Sequence, residues 1–203
     1  MSYRVTSAGK SVETIYLKGI GTDPFGLECG PSGELFVTRG HRIVRVSASG
    51  QAEFWAGGHQ SGNATGHRLQ ASFDGPRGLC WSSQNMLLIC LRLQHTICAI
   101  SGNDVSTYAR TSVRGWQDGP KSEATFSVPT DLVELSGYIY IADSDNHCIR
   151  AINMASGMVT SIGSGTTRSL DGDLKSGSFH IHYGICAHPT LFFLWISSPI
   201  LTS

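Results

Sequence analysis

The chain has no excess of charge of either sign. Its 203 residues include 15 Lys and Arg and 15 Asp and Glu, which gives a formal net charge of +0 at pH 7. A surface that follows a phosphate backbone or an anionic membrane needs surplus Lys and Arg. General electrostatic binding to nucleic acid or membrane is therefore not expected, and only a local basic face stays open.

Long hydrophobic runs are also missing. The most apolar stretch, Leu191 to Ile196, is far too short to span a bilayer as a helix. The first twenty residues contain Lys10, Glu13 and Lys18, which interrupt the apolar segment that a secretory signal peptide requires. The sequence predicts no membrane segment and leaves the compartment open, with an intracellular one favoured.

Metal-binding and nucleophile motifs are absent as well. None of the six cysteines belongs to a Cys-x-x-Cys pair, and there is no Gly-x-Ser-x-Gly elbow, phosphate-binding loop or Cys–His signature. Most of the cysteines lie in strand-like runs, where a reduced thiol packs as a small hydrophobic side chain. Cys90 and Cys98 flank one hairpin connection and are expected to be neighbours across two strands, still as free thiols.

What the chain has is a repeat. Phe73, Phe126 and Phe179 recur at intervals of 53 residues. A fixed period of this size, filled with short strands, is typical of a β-propeller. The unit that begins at Pro129 shows four strand-like runs separated by turn residues, at 131–134, 138–142, 148–152 and 158–162. We expect the recurring phenylalanines to wedge between neighbouring blades.

The repeat predicts an all-β fold, a single β-propeller segment over 1–203 made of four-stranded antiparallel blades. Three full blades with a half blade at each end are expected at 1–20, 21–65, 66–118, 119–172 and 173–203. The half blades either leave an open arc, a partial propeller, or join in a four-bladed ring. In an open arc, the exposed edge strands at 12–16 and 192–196 favour self-association.

The segment from 115 to 163 resembles an NHL repeat. It contains the lead-in Gln117-Asp118-Gly119 and then Ala124-Thr125-Phe126. The run Asp143-Ser144-Asp145-Asn146-His147-Cys148-Ile149-Arg150 follows after a second strand. These residues are similar to the variety of the family with an Asp-Gly-x-x-x-x-Ala-x-Phe lead-in.

The earlier units depart from this pattern. In the segments 66–109 and 19–57, Leu91 and Arg39 stand at the position of Asp143. The resemblance implies a propeller that serves as an interaction platform for proteins or, in some members, for RNA. It also implies that a minority of relatives are enzymes, including metal-dependent lyases that cleave a carbon–nitrogen bond.

Histidines are the first candidates for a metal site. They form two groups: His41, His95 and His147 at one phase of the repeat, and His180, His182 and His188 near the end of the chain. A residue that recurs once per blade usually performs the same local task in each blade, and its loop is expected away from the central axis. Structural roles are therefore favoured for the first group, and the second lacks a neighbouring carboxylate ligand.

The aspartates are interpreted as turn residues. The run 143–146 offers oxygen ligands but lacks the downstream bidentate glutamate of a calcium loop. Asp118-Gly119 and Asp171-Gly172 occupy one phase of the crossing between blades, where glycine permits unusual backbone angles. No catalytic, cofactor-binding or metal-binding residue is assigned, and no cofactor is expected.

The expected function is that of a non-catalytic scaffold that binds a protein partner through loops such as 59–65 and 111–115. Two alternatives stay open: a fragment of a metal-dependent lyase or hydrolase propeller, and an RNA-binding module. RNA binding would use Arg4, Arg45 and Arg150, which are expected to face solvent or to form a weak basic rim. No aromatic stacking platform is evident beside them.

All six cysteines should react as free thiols. When the chain is unfolded in denaturant without reductant, a thiol titration should count all six, because they pack in strands as reduced side chains. The loss of two thiols without added oxidant would show that a disulfide forms.

Overall fold

The computed structural model describes residues 24–109, 113–167, 173, 175–177, 179, 184–187 and 194–197. Within them the chain consists of strands and two 3₁₀ turns, and no helix is long and apolar enough to cross a membrane. Several predicted features lie outside the described residues: the half blade at 1–20, Arg4, Asp171-Gly172, His180, His182, His188 and part of the edge at 192–196.

The first sheet has four strands in chain order. They are β1 (Pro24–Cys29), β2 (Leu35–Arg39), β3 (Arg42–Val46) and β4 (Ala52–Ala56), and each pairs antiparallel with the next. Short turns join them, as expected for consecutive antiparallel strands.

The second sheet has five strands in the order β5-β9-β8-β7-β6. They are β5 (Gly66–His67), β6 (Pro76–Trp81), β7 (Leu87–Leu91), β8 (Thr96–Ser101) and β9 (Asp104–Ala109). One 3₁₀ turn, Arg92–Gln94, joins β7 to β8.

The third sheet repeats this arrangement in the order β10-β14-β13-β12-β11. Its strands are β10 (Gly119–Pro120), β11 (Pro129–Leu135), β12 (Tyr138–Asp143), β13 (Cys148–Asn153) and β14 (Met158–Ile162). The second 3₁₀ turn, Ser144–Asn146, joins β12 to β13. Two further strands, β15 (Gly184–Ala187) and β16 (Leu194–Ser197), pair with each other.

The prediction of an all-β fold with antiparallel propeller blades is confirmed, with one addition. The crossing between blades is not only loop, because its two-residue strands β5 and β10 pair with the outermost strand of the blade that follows. Gly119 has a φ of +133°, which L side chains rarely adopt, so glycine allows the chain to turn onto that edge. The limits of the individual blades stay predictions.

The phenylalanines wedge between sheets, as the period of 53 predicts. Phe73 is fully buried in a cluster that contains Phe36 and Ile43 of the first sheet and Leu87 of the second. Phe126 occupies the same place between the second and third sheets. Each such side chain contributes about 1.5–3 kcal/mol through burial. Phe179 packs against a third cluster, formed by Ala142, Ile149 and Ile185.

Arg150 is fully buried, which corrects the expectation that it faces solvent or forms a basic rim. Its Nη1 donates hydrogen bonds to Asp143 Oδ2 at 3.1 Å and to the Thr125 carbonyl at 2.6 Å. Its Nη2 donates to Asp118 Oδ1 at 2.8 Å and to the Gln117 carbonyl at 2.7 Å. The side chain therefore ties the third strand of the blade to the crossing that precedes the blade.

Asp143 completes this buried network. Its carboxylate accepts hydrogen bonds from the Ser127 N–H at 2.6 Å and from Asn146 Nδ2 at 2.8 Å. The amide of Asn146 also donates to the Gly115 carbonyl at 2.8 Å. The side chains of Asp143 and Asn146 therefore hold the blade together. This gives the Asp-rich run 143–146 a structural explanation.

The second blade replaces the charged pair as a unit. Leu91 stands where the third blade has Asp143, and Cys98 stands where it has Arg150. Both replacements are buried in the apolar core. A buried charge without its partner is strongly destabilising, whereas an apolar pair of similar volume is tolerated. The two positions therefore change together.

The expected proximity of Cys90 and Cys98 is wrong. Cys90 pairs with Ile97, whereas Cys98 pairs with Ile89, so the two cysteines are one register position apart. Since successive side chains of a strand point to opposite faces, they belong to different core clusters. All six cysteines are free thiols in the structure. Burial raises the pKa of the Cys90 thiol well above its ordinary value, which keeps it protonated and unreactive.

The charged pair of the third blade should show strong energetic coupling. Arg150→Cys leaves Asp143 buried without its cation and should lower the free energy of unfolding by about 3–5 kcal/mol. The double variant Asp143→Leu/Arg150→Cys reproduces the pair of the second blade and should be less destabilised than the sum of the two single variants. A double-mutant cycle by urea unfolding should give a coupling of roughly 1–3 kcal/mol. Additive effects would contradict the interpretation of the pair as one unit.

Candidate functional site

The loops that alternate with the strands lie at two ends of the sheets. Because consecutive strands are antiparallel, connections from second to third strands and crossings between blades lie at the same end. We term this end the loop face, and it comprises residues 40–41, 57–65, 92–95, 113–118 and 144–147. The first strand of each blade begins at this end, and β1, β6, β11 and β15 lie side by side. Two neighbouring cavities open here.

The first cavity, the channel-mouth pocket, has a volume of about 530 Å³. The beginnings of three neighbouring first strands and one residue of a loop line it: Phe25, Gly26, Leu27, Arg77, Gly78, Leu79, Thr130, Asp131 and Arg92. Its walls thus combine apolar side chains with two arginines and one carboxylate. A concave site of this composition suits binding of a ligand or of a segment of a partner.

The second cavity, the blade-one groove, has a volume of about 430 Å³. It is lined by Phe25, Arg39, Gly40, His41, Arg42, Phe54, Gly58 and His59. Phe25 lines both cavities, so the groove and the channel-mouth pocket adjoin. We refer to the two together as the recess.

Two arginines of the recess are stacked on aromatic rings. The guanidinium carbon of Arg77 lies 3.3 Å from the centroid of the Phe25 ring, and that of Arg42 lies 4.1 Å from the centroid of Phe54. Arg42 Nε also donates a hydrogen bond to the Gly58 carbonyl at 3.1 Å. Phe25 is 52% exposed and Phe54 is 50% exposed, so the stacks lie at the surface. Stacking orders each guanidinium before a ligand arrives.

The charge of the recess is predominantly positive. The described residues that line it include four arginines and one carboxylate, namely Arg39, Arg42, Arg77, Arg92 and Asp131. Arg92 takes part in none of the ion pairs between described residues. A local basic face, which the zero net charge of the chain did not exclude, is therefore present at the loop face.

The opposite end carries carboxylates. Glu134 accepts a hydrogen bond from the Ser83 N–H at 2.7 Å, and Glu34 accepts one from the Ser32 N–H at 3.0 Å. Arg45 lies towards this end and faces solvent, which is one of its two expected placements, and it pairs with Glu53 at 2.5 Å and does not line the recess. Both ends carry groups of both signs, since Asp74 and Asp145 lie at the loop face and Lys121 lies beside the Gly157 turn of the opposite end.

Asp131 is the one carboxylate that lines the recess among the described residues. Its Oδ1 accepts a hydrogen bond from the Leu132 N–H at 3.0 Å, and its Oδ2 accepts one from the Ile185 N–H at 3.0 Å. Burial raises the pKa of Asp131 to about 6, although the two N–H donors act in the opposite direction. At the matching positions the first two blades have Gly26 and Gly78.

The histidines of the first group make local contacts between elements. His95 Nδ1 accepts a hydrogen bond from the Val128 N–H at 3.0 Å, and His41 Nδ1 lies 3.9 Å from Asp74 Oδ1. Burial, with a contribution from nearby Arg114, lowers the pKa of His95 and favours its neutral form. His95 and His147 have φ values of 53° and 52° and end the 3₁₀ turns. Within the part of the chain that the structure describes, no three His, Cys, Asp or Glu side chains are grouped to hold a metal ion.

The recess was not visible in the sequence. Phe25 and Arg77 are 52 positions apart in the chain, and Arg42 and Phe54 are 12 apart, so no local motif links the stacked pairs. Arg92 also lies in a second-to-third-strand connection, which was expected away from the central axis, yet it lines the channel-mouth pocket. The available signal was the position of Phe25 and Arg77 at one phase of the repeat, at the start of two first strands.

No protein-family model matches the chain, and no curated protein matches it. Solved structures do match. A Bacteroides thetaiotaomicron protein of unknown function is similar over 92% of this chain, with a TM-score of 0.77 and 17% identity. An auxiliary nutrient binding protein from the same species is similar over 81% of the chain, with a TM-score of 0.63 and 21% identity. At these identities the likeness shows the β-propeller fold alone.

Two further kinds of propeller are similar. The nidogen/laminin complex matches 93% of the chain with a TM-score of 0.63 and 15% identity, and covers 60% of that chain. Virginiamycin B lyase from Staphylococcus aureus matches 92% with a TM-score of 0.57 and 15% identity, and covers 67% of that chain. The chain spans 48% of the first Bacteroides structure and 43% of the nutrient-binding one.

The raised pKa of Asp131 predicts a pH dependence of stability. Between about pH 4 and pH 6 the folded chain keeps a proton that the unfolded chain releases, so stability from this group falls as pH rises through the window. Asp131→Asn cannot titrate. Its free energy of unfolding, relative to the wild type, should therefore rise by up to about 3 kcal/mol across this window and then level off. Urea unfolding at several pH values measures this difference. Parallel pH profiles for the wild type and Asp131→Asn would contradict a raised pKa of Asp131.

Proposed function

We propose that the chain is a non-catalytic interaction scaffold of the NHL-repeat type that binds a protein partner at its loop face. The observation that carries the proposal is the recess, where arginines held on aromatic rings line two adjoining cavities on a rigid β scaffold. Binding sites concentrate where loops meet such a scaffold. Preordered side chains lower the entropic cost of association.

The comparisons support a binding role in coarse terms. The similar solved structures include a nutrient binding protein and the nidogen/laminin complex. At their low sequence identity, the likeness indicates a shared fold and does not identify a partner for this chain. Within this chain, the feature suited to a partner is the recess, since the repeated histidines and the Asp-rich turn are used in packing between loops and strands.

The lyase or hydrolase alternative has a weaker basis in the described residues. It takes support from the likeness to virginiamycin B lyase. It would use the histidines and Asp143. His95 and Asp143 are engaged in hydrogen bonds with neighbouring elements, whereas His41 Nδ1 lies 3.9 Å from Asp74 Oδ1 and has no hydrogen-bond partner among the described residues. Zinc or calcium that stays bound in stoichiometric amounts after dialysis would favour this alternative over the scaffold.

The position of the binding surface can be tested without a known partner. Peptides selected from a random displayed library against the folded chain should protect backbone amides at the loop face from hydrogen exchange, at 92–95 and 113–118. The turns of the opposite end, at 102–103 and 136–137, should exchange as before, because they are far from the recess.

A matched pair of variants controls this experiment. Leu93 at the loop face and Met158 at the opposite end are both exposed apolar residues, at 55% and 43%. Leu93→Asp should weaken binding of the selected peptides roughly tenfold, the equivalent of about 1.4 kcal/mol, whereas Met158→Asp should not. Protection confined to the opposite end would overturn the proposed location.

A further inference from the structure

We propose that the recess recognises an extended acidic peptide segment, whose carboxylates pair with Arg42 and Arg92 while an apolar side chain of the segment packs on Phe25 and Leu27. The inference rests on the proposed function and specifies the chemistry of the partner. It starts from the charge of the recess, whose described lining includes four arginines and one half-buried carboxylate. Such a surface is complementary to a segment rich in Asp and Glu.

The stacked arginines are suited to carboxylates in particular. A guanidinium is planar, and its N–H donors lie at its edge in a fork that matches the two oxygens of a carboxylate. Stacking of Arg42 on Phe54 engages the flat face of the guanidinium and not the edge that carries its donors. The bond from Arg42 Nε to the Gly58 carbonyl fixes the group further and involves neither terminal nitrogen. Less freedom is then lost when a carboxylate binds.

The apolar part of the recess favours a segment that contains an apolar side chain as well as acidic ones. Phe25 and Leu27 are 52% and 42% exposed, and both line the channel-mouth pocket. Leu79 of the neighbouring first strand lines the same pocket. An apolar side chain placed between two acidic residues would cover this surface while its neighbours reach the arginines.

The geometry favours an acidic peptide over single-stranded RNA. Bases bind such grooves by stacking on aromatic faces. In the recess, one face of Phe25 and one face of Phe54 are already covered by guanidinium groups. RNA is therefore an outcome that the experiment distinguishes.

The test uses three fluorescent probes with the purified full chain: a peptide that repeats Glu-Gly-Leu, its analogue with Gln in place of Glu, and oligouridine RNA. Fluorescence anisotropy should show that the Glu peptide binds at least about tenfold more tightly than the Gln analogue, because charge-assisted hydrogen bonds are the stronger kind. The affinity should fall as salt is raised. Equal affinities for the Glu and Gln peptides would overturn the proposal.

Variants locate the binding and keep the test independent of folding. Arg42→Ala and Arg92→Ala should each weaken binding of the Glu peptide by about tenfold. Arg45→Ala is the matched control, since Arg45 is also surface-exposed but pairs with Glu53 away from the recess, and it should bind as the wild type does. Thermal unfolding confirms that each variant is folded before its affinity is interpreted.

The remaining outcomes also decide between alternatives. An equal loss with Arg45→Ala would show general charge attraction and refute the site. Tighter binding of oligouridine, lost on Arg42→Ala, would replace the acidic peptide by RNA. If selected peptides of any sequence protect the loop face while the Glu peptide shows no preference over its Gln analogue, this inference fails and the proposed function stands. If no selected peptide protects the loop face, the proposed function itself fails.

Discussion

The packing of one sheet against the next is the interaction on which the whole structure depends. A single antiparallel sheet of four or five short strands has two faces and cannot bury them alone. Phe73 and Phe126 fill the two successive spaces between sheets, and both are completely buried. Stability in such an array comes from each unit and from its contact with neighbours. The loop face exists because this packing sets the first strands β1, β6 and β11 side by side.

Two solutions to one packing problem stand in adjacent blades. In the third blade, Arg150 and Asp143 are buried and bonded to each other, and the arginine also reaches Asp118 of the crossing. In the second blade, Leu91 and Cys98 fill the same positions as apolar core residues. The third blade pairs its buried charges and the second has none at these positions, whereas a mixture of the two would leave a charge unpaired. This explains why a motif can be strong in one repeat and absent from the next without any change in fold.

The sequence period was sufficient to predict the strands and their order, because burial between sheets imposes the same pattern on every unit. The burial of Arg150 was not predicted, because an arginine in a strand is expected to be exposed unless its partners are known. One partner, Asp118, lies 32 positions away in the chain. The crossing strand β10 was missed because only two residues pair, and glycine and proline are poor strand formers. The recess could not be predicted from the sequence for a similar reason, because its residues come from separate blades and from loops.

The positions of the charged residues in the fold, and not their number, determine which surface is basic. Composition alone gives a neutral chain and excludes a general affinity for phosphate or membrane. The fold places Arg42, Arg77 and Arg92 at one end, whereas Glu34 and Glu134 bond to backbone N–H groups at the other. A field concentrated in a recess acts on an approaching ligand over about a Debye length, and a balanced total charge does not cancel it at that distance. A neutral composition is therefore compatible with a recess whose described lining is mainly basic.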